Sequence, residues 1–82
     1  MKLPRDLSGK HLAQLLRRFG SERVRQEGSH IRLTSNLKGS PHHITIPDHA
    51  ELKIGTLRKI LRLVAGYVEM DPAQLISQLF GA

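Results

Sequence analysis

The chain has 82 residues, and its 13 Lys and Arg exceed its 7 Asp and Glu, giving a formal net charge of +6 at pH 7. Because it contains no Cys, disulfide bonds and thiolate metal sites are excluded. The longest uncharged apolar stretch, Leu63–Val68, is too short to cross a bilayer. These properties predict one small, basic, cytoplasmic domain over residues 1–82, with no membrane partner.

The basic residues are unevenly distributed along the chain. All of them lie between Lys2 and Arg62, whereas the segment after Arg62 carries only the acidic residues Glu69 and Asp71. A basic surplus confined to part of a small domain favours a polyanionic partner such as a nucleic acid. Charge that only keeps a small domain soluble is the alternative.

The first predicted helix covers about residues 9–19. Ser8 is a typical N-cap residue, and Leu7 and Leu12 have the spacing of a hydrophobic staple around it. Apolar residues then recur at helical spacing along one face. Gly20 is expected to end the helix in the left-handed conformation.

Residues 21–27 are predicted to form the first strand. Alternation along this strand places Val24 toward the core and Arg23 and Arg25 on the opposite face. The segment Glu27-Gly28-Ser29 is predicted to turn the chain, because glycine adopts backbone conformations that other residues avoid.

Two further strands follow this turn. Residues 30–34 and 42–46 alternate between apolar and polar side chains, which predicts strands with one buried face. Residues 35–41 between them have the composition of a loop. Pro47 is expected to end the third strand, because proline cannot donate to the hydrogen-bond ladder. The predicted inward residues are Ile31, Leu33, Ile44 and Ile46.

Two helices complete the chain. The second is predicted to start near residues 55–56 and to end near Gly66, with one apolar and one basic face. The third is predicted over about residues 71–80, with Asp71 as its N-cap and Pro72 at its first position. The sequence does not fix the orientation of this last helix.

This order of elements predicts a two-layer α+β domain. Its three-stranded antiparallel sheet carries helices on one face, in the order α-β-β-β-α plus a C-terminal helix. The other face is expected to stay open to solvent, as antiparallel sheets allow. Nearly every side chain expected on this open face is cationic, titratable or hydroxyl-bearing. These residues are Arg23, Arg25, His30, Arg32, Thr34, His43 and Thr45.

His30 is the candidate for acid–base chemistry on this face, because imidazole readily exchanges protons near neutral pH. One histidine with several arginines is a minimal set for cleaving RNA without a metal, since the 2′-hydroxyl of RNA is itself the nucleophile. A merely solvated histidine is the alternative. His42 and His43 point to opposite faces, and Asp48 with His49 lacks a third ligand. We therefore predict no metal site and no cofactor.

Three short motifs follow one another in a distinctive order. They are Gly28-Ser29-His30 after the first strand, Ile44-Thr45-Ile46-Pro47 in the third, and Gly55-Thr56-Leu57-Arg58-Lys59-Ile60-Leu61-Arg62 at the start of the second helix. Over about residues 7–65 this arrangement resembles the HicA (YcfA-like) toxins of HicAB toxin–antitoxin systems. The last helix resembles the third helix of longer members.

The resemblance implies a double-stranded-RNA-binding-like fold and the activity of an mRNA interferase, a ribosome-independent endoribonuclease of the bacterial stress response. It implies that one histidine of the second strand, here His30, is the catalytic group. It also implies a HicB antitoxin that masks the site, and operator DNA bound only through the toxin–antitoxin complex. We therefore predict a metal-independent endoribonuclease toxin that cleaves mRNA.

Several residues are predicted to hold the RNA backbone around His30. Ser29 is expected to orient His30 or a phosphate. The basic candidates are Arg23, Arg25 and Arg32 on the open face, Lys38 in the loop, and Lys53, Arg58 and Lys59 at the start of the second helix. Two alternatives remain open: a non-catalytic RNA-binding module of the same fold, and a protein-interaction subunit whose basic surface meets an acidic partner.

Overall fold

The elements follow one another in the predicted order. The computed structural model describes residues 3–81, with α1 at Gly9–Leu15, a 3₁₀ turn at Leu16–Phe19, β1 at Glu22–Glu27, β2 at His30–Ser35, β3 at His42–Pro47, α2 at Ile54–Val68 and α3 at Pro72–Phe80. The three strands form one open antiparallel sheet in the order β1-β2-β3, which confirms the α+β class. Within the described residues, no helix is both long enough and apolar enough to span a membrane.

Local signals act as predicted at both ends of the first helical segment. The Ser8 hydroxyl accepts a hydrogen bond from the backbone N–H of His11 at 3.0 Å, and Leu7 and Leu12 are buried on either side of this cap. The last turn tightens into a 3₁₀ turn instead of continuing as an α-helix. Gly20 then ends it with a φ of 78°, a conformation that glycine adopts without steric cost.

The apolar face of the sheet forms the centre of the core. Its four predicted inward residues are all buried, and α1 and α2 cover them. The opposite sheet face remains open to solvent, as predicted. The main core side chains are Leu12 and Leu16 before the sheet, Ile31, Leu33, Ile44 and Ile46 within it, and Leu57, Ile60, Leu61 and Val64 on α2.

The prediction that Val24 faces the core is wrong. The pairing of β1 with β2 shifts between Arg23, which pairs with Leu33, and Arg25, which pairs with Arg32. Val24 is the extra residue of this β-bulge and is 57% exposed. Because a one-residue shift reverses the alternation of side chains, Arg23 shares the inner face with Leu33, whereas Arg25 shares the open face with Arg32.

The prediction that Gly66 ends the second helix is also wrong. The helix continues to Val68 and closes at the next residue, which has a φ of 58°. Of the two extra residues, Val68 is buried and Tyr67 reaches the β2–β3 loop. There the Tyr67 hydroxyl accepts a hydrogen bond from the Lys38 N–H at 2.9 Å and donates to the Ser40 carbonyl at 2.7 Å. These contacts offset the cost of about 1 kcal/mol for an interior glycine.

The structure fixes the orientation of α3, which packs against α2. Asp71 caps its first turn through a hydrogen bond of 2.8 Å, and Leu75 and Leu79 are buried. At the other end, the Arg18 guanidinium donates to the carbonyl oxygen of Gln78 at 2.8 Å. A cation near the C-terminus of a helix also interacts favourably with the helix dipole. Arg18 therefore ties α3 to the 3₁₀ turn.

His42, the first residue of β3, stacks on Tyr67 with ring centroids 4.5 Å apart and an interplanar angle of 6°. Burial lowers the pKa of His42 from its ordinary value of 6.5, and the neighbouring His43 lowers it further. The folded chain therefore binds a proton at His42 less readily than the unfolded chain does.

We expect this difference to make the fold less stable in acid. The contribution of His42 is fully present above the unfolded pKa of 6.5 and is lost as the pH falls through that value toward the folded pKa. A His42→Phe variant keeps an aromatic ring against Tyr67 but cannot titrate. Denaturant unfolding above and below this pKa should show a smaller loss of unfolding free energy in the variant than in the wild type. Equal losses in the two proteins would contradict the expectation.

Candidate active site on the open face of the sheet

His30 lies exposed on the open face, at the first residue of β2. It pairs with Glu27 on one side and with Pro47 on the other. Glu27, His30, Arg32 and Thr45 line a shallow depression of about 210 Å³. The structure therefore places a titratable ring, a carboxylate, a guanidinium and a hydroxyl around one small opening.

A two-residue turn holds His30 at this position. Gly28 has a φ of 56°, whereas Ser29 has no positive φ, which is the type II′ pattern of tight hairpins. The turn is fastened to the segment after β3, because the Asp48 N–H donates to the Ser29 carbonyl at 2.7 Å. Ser29 thus acts in the fold through its backbone, and a side-chain role toward His30 or phosphate stays a prediction.

Arg25 and Arg32 lie opposite each other on the open face. Like charges in directly opposed positions of neighbouring strands are unfavourable, and an anion between them relieves the repulsion. Arg25 also lies 2.9 Å from the carboxylate of Glu27, but both side chains are more than half exposed. An ion pair this exposed contributes little to stability. The Arg25 guanidinium can therefore leave the Glu27 carboxylate and bind a phosphate at low cost in free energy.

The expectation that Arg23 lies beside His30 is wrong, because the β-bulge turns it to the helix side of the sheet. The Arg23 guanidinium donates a hydrogen bond to the side-chain carbonyl of Gln26. The amide nitrogen of Gln26 in turn donates to the Asp48 carboxylate at 2.7 Å. Arg23 therefore belongs to a polar network that links β1 to the segment after β3.

Lys38 lies at the opposite end of the strands from His30. It follows β2, and five residues of strand separate its loop from His30, a distance of about 17 Å at the usual rise per residue. Its ammonium group is 3.3 Å from the carboxylate of Glu69, the residue that closes α2. Lys38 therefore lies away from His30, and a contact of Lys38 with the RNA backbone stays a prediction.

The basic residues of α2 are also remote from His30. The apolar face of this helix packs on the inner side of the sheet, so the exposed Arg58 and Lys59 point away from the open face. The expectation that these two flank His30 is wrong. Lys53 directly precedes α2 and lies six positions after Pro47, the pairing partner of His30, at the same end of the sheet.

Glu27 is the residue that sequence reasoning missed. It reads as a solvated charge in the sequence, but the structure places it directly across from His30 and within the same depression. The sequence feature that identifies it is its position directly before the Gly28-Ser29 turn, since a two-residue hairpin pairs the residues on either side of its turn. Glu27 is therefore the carboxylate available to act with His30.

The other histidines of β3 are engaged separately. His43 shares a hydrogen bond of 2.9 Å with the hydroxyl of Thr34, whereas His42 stacks on Tyr67. Across residues 3–81, no group of three or more His, Asp or Glu side chains is arranged to hold a metal ion.

The fold and the site define a class of protein: a small basic α+β domain whose candidate chemistry lies on an open sheet face. Comparison with protein families matches residues 9–64 to the HicA toxin of bacterial toxin–antitoxin systems. This match covers more than half of the chain and all of the open-face residues, so the chain belongs to the HicA toxin family. It is a toxin whose family implies an antitoxin partner. No curated protein and no solved structure matches the chain.

Proposed function

We propose that this toxin is a ribosome-independent endoribonuclease that cleaves mRNA in the cytoplasm without a metal ion. One observation carries the proposal: in a member of a toxin family, His30 lies beside a carboxylate and a guanidinium in a solvent-accessible depression. An extended RNA strand can enter such a shallow site, so no deep pocket is needed.

Cleavage of RNA by its own 2′-hydroxyl requires two proton transfers. The 2′-oxygen attacks the adjacent phosphorus and loses its proton, while the bond from phosphorus to the 5′-oxygen breaks and that oxygen gains a proton. The products are a 2′,3′-cyclic phosphate and a 5′-hydroxyl. In this proposal His30 performs one of these transfers, and Glu27, which pairs with His30 on the neighbouring strand, performs the other. Each positioned acid or base contributes about 10²–10⁴-fold to the rate.

Arginines complete the proposed site. Arg32 lines the depression, and Arg25 lies opposite it across the strand pair. A guanidinium offers parallel donors to two phosphate oxygens and stabilises the negative charge that builds up during attack. Lys53 at the same end of the sheet is a further phosphate contact in this proposal, whereas Lys38, Arg58 and Lys59 are left out of it because of their positions.

Neutralisation follows from the shape of the site. A shallow, exposed depression is most simply silenced when a second protein covers it, and we propose a HicB-type antitoxin in this role. Contact with operator DNA is then a property of the toxin–antitoxin complex. A complex in which His30 remains fully exposed to solvent would contradict masking by direct occlusion.

The proposal is tested by incubating the purified protein with labelled single-stranded RNA in excess EDTA. We expect cleavage products that end in a 2′,3′-cyclic phosphate, and no cleavage of the same sequence with 2′-O-methyl groups, which lack the nucleophile. RNA that is bound but stays full-length would overturn the proposal and favour a non-catalytic RNA-binding module.

A further inference from the structure

A second basic surface lies on the helix side of β1, whereas His30 lies on the open face of the sheet. This surface, the α1–β1 groove, has a volume of about 430 Å³. It is lined by Lys10, Ala13, Gln14 and Arg17 from the first helical segment and by Glu22 and Arg23 from β1. Three cations and one carboxylate thus face the groove, whereas one cation and one carboxylate line the depression around His30.

The β-bulge at Val24 is the reason that Arg23 reaches this groove. Without the bulge, Arg23 and Arg25 would share one face of β1; with it, they lie on opposite faces of the same edge strand. The hydrogen bonds from Arg23 to Gln26 and from Gln26 to Asp48 hold the guanidinium in place. Arg23 is therefore oriented before any ligand arrives.

The other two cations, Lys10 and Arg17, make few contacts that would stabilise the fold. Lys10 lies in the first turn of α1, where the helix dipole disfavours positive charge. Within residues 3–81 its one ion pair is a contact of 3.7 Å to Asp48. The side chain of Arg17 makes no hydrogen bond or ion pair within residues 3–81, unlike its neighbour Arg18, which ties α3 in place. Binding of an external ligand explains the positions of Lys10 and Arg17 better than a contribution to folding stability does.

We propose that the α1–β1 groove is a phosphate subsite for the RNA strand that is cut at His30. The strand crosses the exposed edge of β1 at Val24, so that Arg25 contacts it on the open face and Arg23 contacts it on the helix side. The inference rests on the proposed function for the location of the scissile bond. Because phosphate contacts carry no base information, the groove adds affinity without sequence preference.

The lining favours RNA over an acidic protein as the occupant. Protein interfaces are anchored by buried aromatic or large apolar side chains, and Ala13 is the one apolar residue among the described residues that line this groove. Phosphate requires only cations and amide donors, which Arg23, Arg17 and Gln14 supply.

The test measures binding of a short 2′-O-methyl RNA, which cannot be cleaved, by fluorescence anisotropy over a range of salt concentrations. Arg17→Gln should reduce the slope of log affinity against log salt by about 0.7, the value for one phosphate contact to a single strand. Arg62→Gln, an exposed position on α2 with the same charge change, is the matched control and should leave the slope unchanged.

The possible outcomes separate this inference from the proposed function. Equal slopes for Arg17→Gln and Arg62→Gln would overturn the phosphate subsite even if the wild type cleaves RNA. A reduced slope for Arg17→Gln in a protein that never cleaves RNA would support the subsite and reject the nuclease. Weakened binding of the antitoxin with unchanged RNA binding would assign the groove to the protein partner and also overturn the inference.

Discussion

Replacing His30 with alanine is expected to abolish RNA cleavage and growth inhibition while leaving the fold intact. The His30 side chain is exposed on the open face and supports no core contact, so its loss should not lower stability measurably. Removing one of two proton-transfer groups should reduce the cleavage rate by at least about 10²-fold. Induced expression, scored by growth and by transcript integrity, measures the effect in cells, and circular dichroism verifies the fold.

Two companion variants sharpen this prediction. His11→Ala removes an exposed imidazole from α1, outside the depression, and should keep full cleavage activity.

Glu27→Gln should slow cleavage and remove one limb of the pH–rate profile, because the amide keeps the shape of the carboxylate but cannot transfer a proton. Undiminished cleavage by His30→Ala would reject the assigned role of His30, and an unchanged profile for Glu27→Gln would reject that of Glu27.

Gly9→Ala is expected to destabilise the protein more than any other single methyl addition at its glycines. Gly9 is buried at the start of α1, and a Cβ there would overlap the carbonyl oxygen of Pro47 and lie 3.0 Å from its carbonyl carbon. Both atoms are backbone, so α1 must move away from β3, and the hydrogen bond of 3.0 Å from Gly9 N–H to His49 must distort. Overpacking of this kind costs about 3 kcal/mol, which lowers the melting temperature of a domain this small by roughly 12–24 °C.

Gly66→Ala is the matched control for this prediction. Gly66 lies inside α2, has open space within 4 Å of the position that a Cβ would occupy, and has no positive φ. Alanine should therefore stabilise the helix by about 1 kcal/mol. Thermal unfolding of both variants measures the contrast. A Gly9→Ala protein that melts with the wild type would show that α1 and β3 have room for a methyl group between them.

The clash at Gly9 also bears on the candidate active site. Pro47, the residue that a Gly9 side chain would displace, pairs with His30 across β2 and β3. The tight contact between α1 and the end of β3 thus supports the backbone on which His30 is presented. We infer that α1 positions the site through packing, although its one cation, Lys10, faces the groove on the other side of β1.

Capping and turn signals were readable because they depend on neighbouring residues alone. Ser8, Gly20 and Asp71 act as helix caps at the predicted positions. The alternation in β2 and β3 identified the inward side chains correctly, because each strand has two apolar residues that fix its phase. The family resemblance at the Gly28-Ser29-His30 motif was likewise carried by adjacent residues, and the family match confirms it.

The tertiary structure alone decided where the charges lie. β1 has a single apolar residue, Val24, so nothing in its sequence fixed the phase, and pairing with β2 placed the bulge that separates Arg23 from Arg25. The end of α2 was set by distant contacts of Tyr67 with the β2–β3 loop. By itself, then, the sequence determined the elements, the family and the excess of +6. Which faces of the molecule carry that excess depended on strand register and helix packing, because both are fixed by residues far apart in the chain.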